Sequence, residues 1–235
     1  ASGAAALVAY MAGVLGGLAI LQLKRRGAPV VLGGVQSAMD LRTARPAYGA
    51  PEMSLHSAAA ADLARYLGVP FMGTAGASES KRLDCQAAVE ATLQVLMSAL
   101  SGATLVHDVG FLDCADIASL PLLVLSDEVI AMVRRIMRGV EVNRESIMLD
   151  LIEEVGPGGC YIAEPRSVAR CRQEIWMPTL MDRDAHVIWQ EKGALSAEER
   201  VWRKLRQVLR THQPPSLPDG AAAQIEAILA EAEAG

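Results

Sequence analysis

Short apolar runs alternate along the chain with longer segments in which hydrophobic residues recur at helical spacing. The runs at residues 29–34 and 103–110, and the run that begins at Val69, are predicted to be buried strands about 35 residues apart. Helical patterns lie between them, at residues 58–67 and 84–100. Strands that alternate with helices favour an α/β fold on a parallel sheet with right-handed crossovers.

The first 23 residues carry no charge and are followed by three basic residues. Length alone would allow this segment to span a membrane. Alanine and glycine dominate it, however, and no basic region precedes it as in a signal peptide. We therefore expect a helix buried within the protein.

Helical patterns dominate the second half of the chain. They cover residues 126–139, 145–154, 196–211 and 220–234. Residues 160–163 form a weak candidate strand, and charge increases from Arg166 onward. The sequence therefore predicts βα units over residues 1–165 and a helical extension, packed on the outside of these units, over residues 166–235.

The amino-acid composition limits the kinds of binding partner and the cellular compartment that we expect for this protein. The chain is 51% hydrophobic but only 4% aromatic, which suits helices packed closely on a parallel sheet. Its net charge is −5 and it has no block of basic residues, which argues against nucleic acid as a partner. The four cysteines show no CxxC spacing, so neither a zinc site nor a disulfide framework is expected. Reduced thiols indicate the cytoplasm.

The loop after the second predicted strand concentrates reactive side chains beside glycines. Ser78 and Lys81 lie in it, and parallel α/β folds place functional side chains at the carboxyl ends of their strands. Lys81 has three interpretations: a Schiff-base amine, an anchor for a carboxylate, or a solvated surface lysine. A Schiff base requires a desolvated amine, whereas the charged residues Glu79 and Arg82 lie close to Lys81.

Other candidates lie near the ends of the predicted strands. His107 and Asp108 end the third strand, and because adjacent strand residues point to opposite faces, only one of them is expected to face the site. The alternative for His107 is a structural histidine in the core. Glu52 suits acid or base catalysis, or else a cap or ion pair. Tyr48 and Phe71 can hold a quaternary ammonium by cation–π attraction, with ordinary packing as the alternative. Neither a phosphate-binding glycine motif nor a GxSxG elbow occurs.

Five ordered motifs resemble the trimethylamine methyltransferase family and extend over nearly the whole chain. They are YGAPE at 48–52, SESKRLDCQA at 78–87, GVEV at 139–142, EVGPGG at 154–159 and RQEIWMP at 172–178. Members of this family are (β/α)8 barrels that move a methyl group from an amine to the cobalt of a partner corrinoid protein. The resemblance therefore implies a TIM barrel, with this chain covering roughly its C-terminal half plus C-terminal helices.

The resemblance also implies a reaction and a site. Members that act on trimethylamine carry pyrrolysine, whose place falls near Lys81, and pyrrolysine-free relatives demethylate quaternary amines such as glycine betaine. We therefore expect a methyltransferase that takes a methyl group from a quaternary or tertiary methylamine to Co(I). The cobalamin is carried by the corrinoid protein, and this chain is expected to bind no cofactor or metal directly. The candidate catalytic residues are Lys81, Glu52 and His107, and the candidate substrate-binding residues are Gln36, Tyr48, Phe71 and Ser78.

Length qualifies this expectation, because three predicted strands cannot close an eight-stranded barrel. The chain is therefore expected to be a fragment, to form a homo-oligomer, or to pair with a missing N-terminal half. The alternative function is that of a truncated, non-catalytic paralogue that binds a corrinoid protein or a partner half. Cys160 and the pair Arg166-Ser167 depart from the family's pattern, in which His and His-Thr are expected.

Overall fold

The computed structural model describes residues 2–234, within which helices alternate with short strands. The helices are α1 (Gly3–Lys24), α2 (Pro51–Tyr66), α3 (Cys85–Leu100), α4 (Leu120–Met137), α5 (Arg144–Ile147), α6 (Leu149–Val155), α7 (Pro165–Glu174), α8 (His186–Glu191), α9 (Ala197–Thr211) and α10 (Ala221–Ala234). The strands are β1 (Leu32–Gly33), β2 (Met39–Asp40), β3 (Arg45–Pro46), β4 (Phe71–Thr74), β5 (Leu105–His107), β6 (Phe111–Leu112) and β7 (Ile117–Ala118).

A parallel sheet of three strands, in the order β1-β4-β5, forms the centre of the fold. Leu32 pairs with Phe71 across the first two strands, and Thr74 pairs with His107 across the next two. The predicted α/β class with a parallel sheet is therefore confirmed. Within residues 2–234 the sheet is open at both edges and does not close into a barrel.

Successive side chains of β4 point to opposite faces of the sheet, one of which packs into the core. Phe71 is buried with Leu32 and with Ala60 of α2. Gly73 faces the same side, where an added Cβ would lie 2.9 Å from the Ser98 hydroxyl oxygen of α3. Thr74 therefore points to the opposite face, since successive strand residues alternate.

Helix α1 lies on the outside of the fold, so the prediction of a buried helix is wrong. None of its described residues is buried. Tyr10 and Val14 pack against the cluster around Leu32, and the Tyr10 hydroxyl donates to the Gly33 carbonyl oxygen at 3.1 Å. The rest of the helix has too few neighbours to cover it. By length and composition, α1 is apolar enough to cross a membrane.

Two predicted helix boundaries and one predicted strand are also wrong. Helix α4 begins before Ser126, because the Ser119 hydroxyl caps its first turn and Pro121 fits that turn. Helix α2 likewise begins earlier than predicted, at Pro51. Residues 160–163 form a turn after a glycine-rich segment and no strand.

The segment after α7 is attached to α4 by a buried carboxylate and an apolar contact. Glu128 of α4 is 2% exposed and accepts hydrogen bonds from the Thr179 hydroxyl at 2.6 Å and from the Leu180 backbone N–H at 2.8 Å. Val201 and Leu205 are the buried residues of α9, and Val201 belongs to the core cluster that includes α4. The proposed division near residue 165 stays a prediction.

Candidate functional site

Two β-hairpins and a loop cover the carboxyl edge of the sheet. The hairpin β2–β3 follows β1, and the hairpin β6–β7 follows β5. Arg45 of the first hairpin forms ion pairs with Asp113 and Asp116 of the second, at 2.9 and 3.3 Å. In the loop after β4, the Ser78 N–H donates to the Phe111 carbonyl oxygen at 2.9 Å. The segments that follow the three strands thus contact one another.

Four polar side chains meet at this edge, and we call them the tyrosine–aspartate cluster: Tyr48, Thr74, His107 and Asp108. Thr74 and His107 are register partners, so their side chains point to the same face, and Oγ1 of Thr74 lies 3.1 Å from Nε2 of His107. Nδ1 of His107 lies 2.7 Å from Oδ1 of Asp108. The Tyr48 hydroxyl donates to Oδ2 of the same carboxylate.

Asp108 reaches this cluster because its backbone is left-handed, with a φ of 70°. The expectation that only one of His107 and Asp108 faces the site is therefore wrong. Alternation holds within a strand, and β5 ends at His107. Aspartate is one of the few residues other than glycine that adopt this conformation at modest cost.

The cluster combines an aromatic ring with a negative charge. Tyr48 is 6% exposed, and burial raises the pKa of its hydroxyl, with further increases from the hydrogen bond to Asp108 and from the charge of that carboxylate. Tyr48 therefore stays protonated at neutral pH and donates its proton to Asp108. A ring beside a carboxylate is an arrangement that attracts a cationic ligand.

The loop after β4 is fixed by side chains of α3. Ser78 is fully buried, and its hydroxyl donates to Oε2 of Glu90 at 2.6 Å. The backbone N–H of Glu79 donates to the same oxygen at 2.9 Å. One turn along the helix, Gln94 accepts from the Ala77 N–H at 3.2 Å. This loop is held by a hydrogen-bonded network before any ligand is bound.

Lys81 lies at the solvent side of that loop. Its side chain is 67% exposed, and its Nζ donates to the Glu79 carbonyl oxygen at 2.6 Å and lies 3.5 Å from the Asp113 carboxylate. This solvated, charge-paired setting does not provide the desolvation that a Schiff-base lysine requires. It suits an exposed ammonium that attracts an anionic group.

The structure does not bring the three other predicted site residues into the tyrosine–aspartate cluster. Phe71 lies on the opposite face of β4, in the core against α2. Glu52 is exposed on the first turn of α2. Gln36 is buried beyond the end of β1, and neither of its side-chain amide atoms has a hydrogen-bond partner among the described residues.

Two polar residues at this edge, Thr74 and Gln94, were missed by the sequence reasoning. Asp108 was weighed only as the neighbour of His107, and Glu90 only as a possible carboxylate for acid or base work. The spacing of Gln86, Glu90 and Gln94, four residues apart in a largely apolar helix, was the signal that could have indicated Gln94. Residues 2–234 contain no group of three or more His, Cys, Asp or Glu side chains arranged to hold a metal ion.

The chain is similar to a known protein family over its whole length. The sequence profile of the family described as trimethylamine methyltransferase matches residues 1–235. A glycine betaine methyltransferase of Desulfitobacterium hafniense is 32% identical over 232 residues, which is 98% of this chain and 48% of that protein. A trimethylamine methyltransferase of Methanosarcina barkeri is 31% identical over 233 residues, which is 98% of this chain and 46% of that protein.

A trimethylamine methyltransferase of Desulfitobacterium hafniense is 30% identical over 230 residues, again 98% of this chain and 46% of that protein. The chain spans about half the length of the curated relatives that it matches. The profile match extends from the first residue to the last, in agreement with the five motifs. The chain belongs to the trimethylamine methyltransferase family.

Proposed function

We propose that this chain forms part of a methyltransferase that moves a methyl group from a quaternary or tertiary methylamine to the Co(I) centre of a corrinoid protein. The observation that carries the proposal is the tyrosine–aspartate cluster, an aromatic ring and a carboxylate at the carboxyl ends of two parallel strands. Active sites of parallel α/β folds lie at such ends. The names of the relatives support the same reaction class.

In this proposal the two charged ends of a betaine bind in different places. The methylated ammonium lies against the Tyr48 ring and the Asp108 carboxylate, where cation–π attraction and opposite charge both favour it. The exposed ammonium of Lys81 attracts the substrate carboxylate. His107 orients Asp108 through its ring Nδ1, and Ser78 fixes the loop that carries Lys81.

The chemistry demands little of the protein beyond positioning. When a methyl carbon leaves a quaternary nitrogen, the nitrogen keeps the bonding electron pair and a neutral tertiary amine is released. No proton has to be supplied, so the chain has only to hold the cation and to aim one methyl group at the acceptor. The corrinoid partner provides the nucleophilic cobalt, and we propose no cofactor bound directly by this chain.

The finer architecture is part of the same proposal. We take the three parallel strands with their helices as roughly the C-terminal half of a TIM barrel, completed by a missing N-terminal half or by another copy. This fits the open edges of the sheet and a chain that spans about half the length of its relatives. Four cysteines without disulfides among the described residues fit a cytoplasmic protein.

Methyl transfer can be measured directly. The protein in its natural full length is mixed with a corrinoid protein reduced to Co(I), and a panel of methylamines is tested by the change in cobalt absorbance. We expect transfer from glycine betaine or a related quaternary amine, and a large loss of it in Tyr48→Leu, which removes the ring, and in Asp108→Asn, which removes the charge. Tyr66→Leu is the matched control, because Tyr66 is 88% exposed at the end of α2. An unchanged spectrum with every amine would refute the reaction.

A non-catalytic half-barrel is the second candidate, and the exposed sheet favours it. Met72 and Leu105 are register partners that point to the same face of the sheet, and each is at least one-third exposed. An apolar patch therefore lies uncovered beside two unpaired sheet edges. A protein of this kind would bind a corrinoid protein or a partner half without transferring a methyl group. Sedimentation of the mixture would show stable association, while the cobalt spectrum would stay unchanged.

A further inference from the structure

Helix α3 carries a row of polar side chains that faces the site. Gln86, Glu90 and Gln94 follow one another at four-residue spacing and therefore lie along one side of the helix. The row runs from solvent into the interior: Gln86 is exposed and Gln94 is 3% exposed. Buried polar side chains are retained when they have partners, and each of these three has one.

The partners of this row lie in two different loops. Glu90 accepts from the Ser78 hydroxyl and from the Glu79 N–H, in the loop after β4. Gln94 donates to the Tyr48 carbonyl oxygen at 3.0 Å, in the segment that follows the first hairpin. The row on α3 therefore joins the loop that leads to Lys81 with the segment that carries Tyr48.

Gly49 shows how closely the second segment approaches Glu90. A Cβ added at Gly49 would overlap the Glu90 carboxylate. Its φ is not left-handed, so the absence of a side chain, and not a special backbone conformation, is what this position requires. The carboxylate thus lies against the backbone next to Tyr48 and is bound to the loop before Lys81.

We propose that Glu90 is a positioning residue that fixes Lys81 relative to Tyr48 and so sets the preference for methylamines that carry a carboxylate. This rests on the proposed function, in which Tyr48 holds the cation and Lys81 holds the carboxylate. Glu90 touches neither end of the substrate. Without it, each loop keeps its own fold, but the two binding groups lose their fixed separation.

Two ligands distinguish this role from a general structural one. Glycine betaine has a quaternary ammonium and a carboxylate, whereas tetramethylammonium has only the cation. Their affinities for the full-length protein are measured by titration calorimetry in the wild type, Glu90→Ala and Glu90→Gln. Val89→Ala is the matched control, since Val89 adjoins Glu90 on α3 but is 66% exposed.

We expect Glu90→Ala to weaken glycine betaine binding about threefold to fivefold, which is the most that an exposed ion pair with Lys81 contributes. Tetramethylammonium binding should change by less than about twofold. Glu90→Gln keeps an amide oxygen that accepts from the Glu79 N–H and should recover most of the preference. Equal weakening of both ligands in Glu90→Ala, or no weakening of either, would overturn the proposal.

Hydrogen exchange provides a readout that does not depend on any ligand. The Glu79 amide should exchange about tenfold faster in Glu90→Ala, because its acceptor is removed, whereas amides in the middle of α4 should exchange as in the wild type. Unchanged exchange at Glu79 would overturn the positioning role. A wild-type protein that bound neither ligand would instead refute the proposed function, and the exchange rates would still decide whether Glu90 fixes the loop.

Discussion

Replacing Glu128 is expected to detach the C-terminal segment from the sheet domain. The carboxylate is 2% exposed and accepts from the Thr179 N–H and hydroxyl, the Leu180 N–H and the Met181 N–H, at 2.6 to 3.2 Å. Glu128→Ala leaves these donors without their acceptor. Each buried donor that stays unsatisfied costs about 1–3 kcal/mol, and some gain water, so we expect a loss of about 3–5 kcal/mol in the free energy of unfolding.

Glu128→Gln should cost less, about 2–3 kcal/mol, because one amide oxygen still accepts while the amide NH2 faces donors. Urea unfolding followed by circular dichroism gives both values, and limited proteolysis between α7 and α8 reports local detachment. Asp127→Asn is the control, since Asp127 is the exposed neighbour on the same helix. A loss below about 0.5 kcal/mol in Glu128→Ala would refute the reasoning.

The same carboxylate predicts a dependence on pH. Burial alone would raise the pKa of Glu128, but the hydrogen bonds from residues 179–181 outweigh it and hold the pKa below its usual value. The folded state therefore binds this proton more weakly than the unfolded state does. The stabilisation is complete above the unfolded pKa of about 4.3 and is lost as the pH falls through the folded pKa. Glu128→Gln should flatten this acid limb of the stability profile, and an unchanged limb would contradict the assignment.

Three further predictions concern the site. Gly49→Ala should lower the free energy of unfolding by about 1–3 kcal/mol, because its Cβ overlaps the Glu90 carboxylate; equal stability in urea would contradict that contact. Asp84→Ala should cost about 1 kcal/mol, because the Asp84 side chain caps α3 by accepting from the Ala87 N–H at 3.0 Å, and the same urea assay tests it. In a spectrophotometric titration Tyr48 should ionise above the usual pH of about 10, so stability falls as the pH rises through the raised pKa. The late-ionising signal should be absent from Tyr48→Phe.

The sequence predicted the elements in which local signals agree. Helix α3 begins after Asp84 as expected, because aspartate both caps the helix and favours its positive end. The alternation of apolar runs and helical segments was sufficient to predict the parallel sheet. Helix α1 could not be placed in the same way, because an uncharged run of alanine, glycine and leucine fits a core, a surface groove or a membrane equally well.

The site was less predictable, because its contacts join residues far apart in the chain. Tyr48 and Asp108 lie 60 residues apart, and the hydrogen bond between them depends on a left-handed turn at Asp108 that no local pattern indicates. Phe71 is a residue that the sequence suggested for the site but that lies outside it. Its place near a strand end suggested a role in binding, but only the strand register reveals that it points into the core.

The proposed site has two binding groups, the Tyr48–Asp108 pair for the cation and Lys81 for the carboxylate, and the surrounding protein fixes the first more firmly than the second. This difference affects how a betaine would be distinguished from other methylamines. Tyr48 is buried and bonded to Asp108, so the cationic end meets a desolvated site. Lys81 is largely exposed and already lies near Asp113, which Arg45 also contacts. A substrate carboxylate must compete with Asp113 and with solvent ions, so its contribution is small and is screened by salt. In the proposed site, most of the binding energy would therefore come from the methylated cation, and the carboxylate would add discrimination only while Lys81 keeps a fixed place relative to Tyr48.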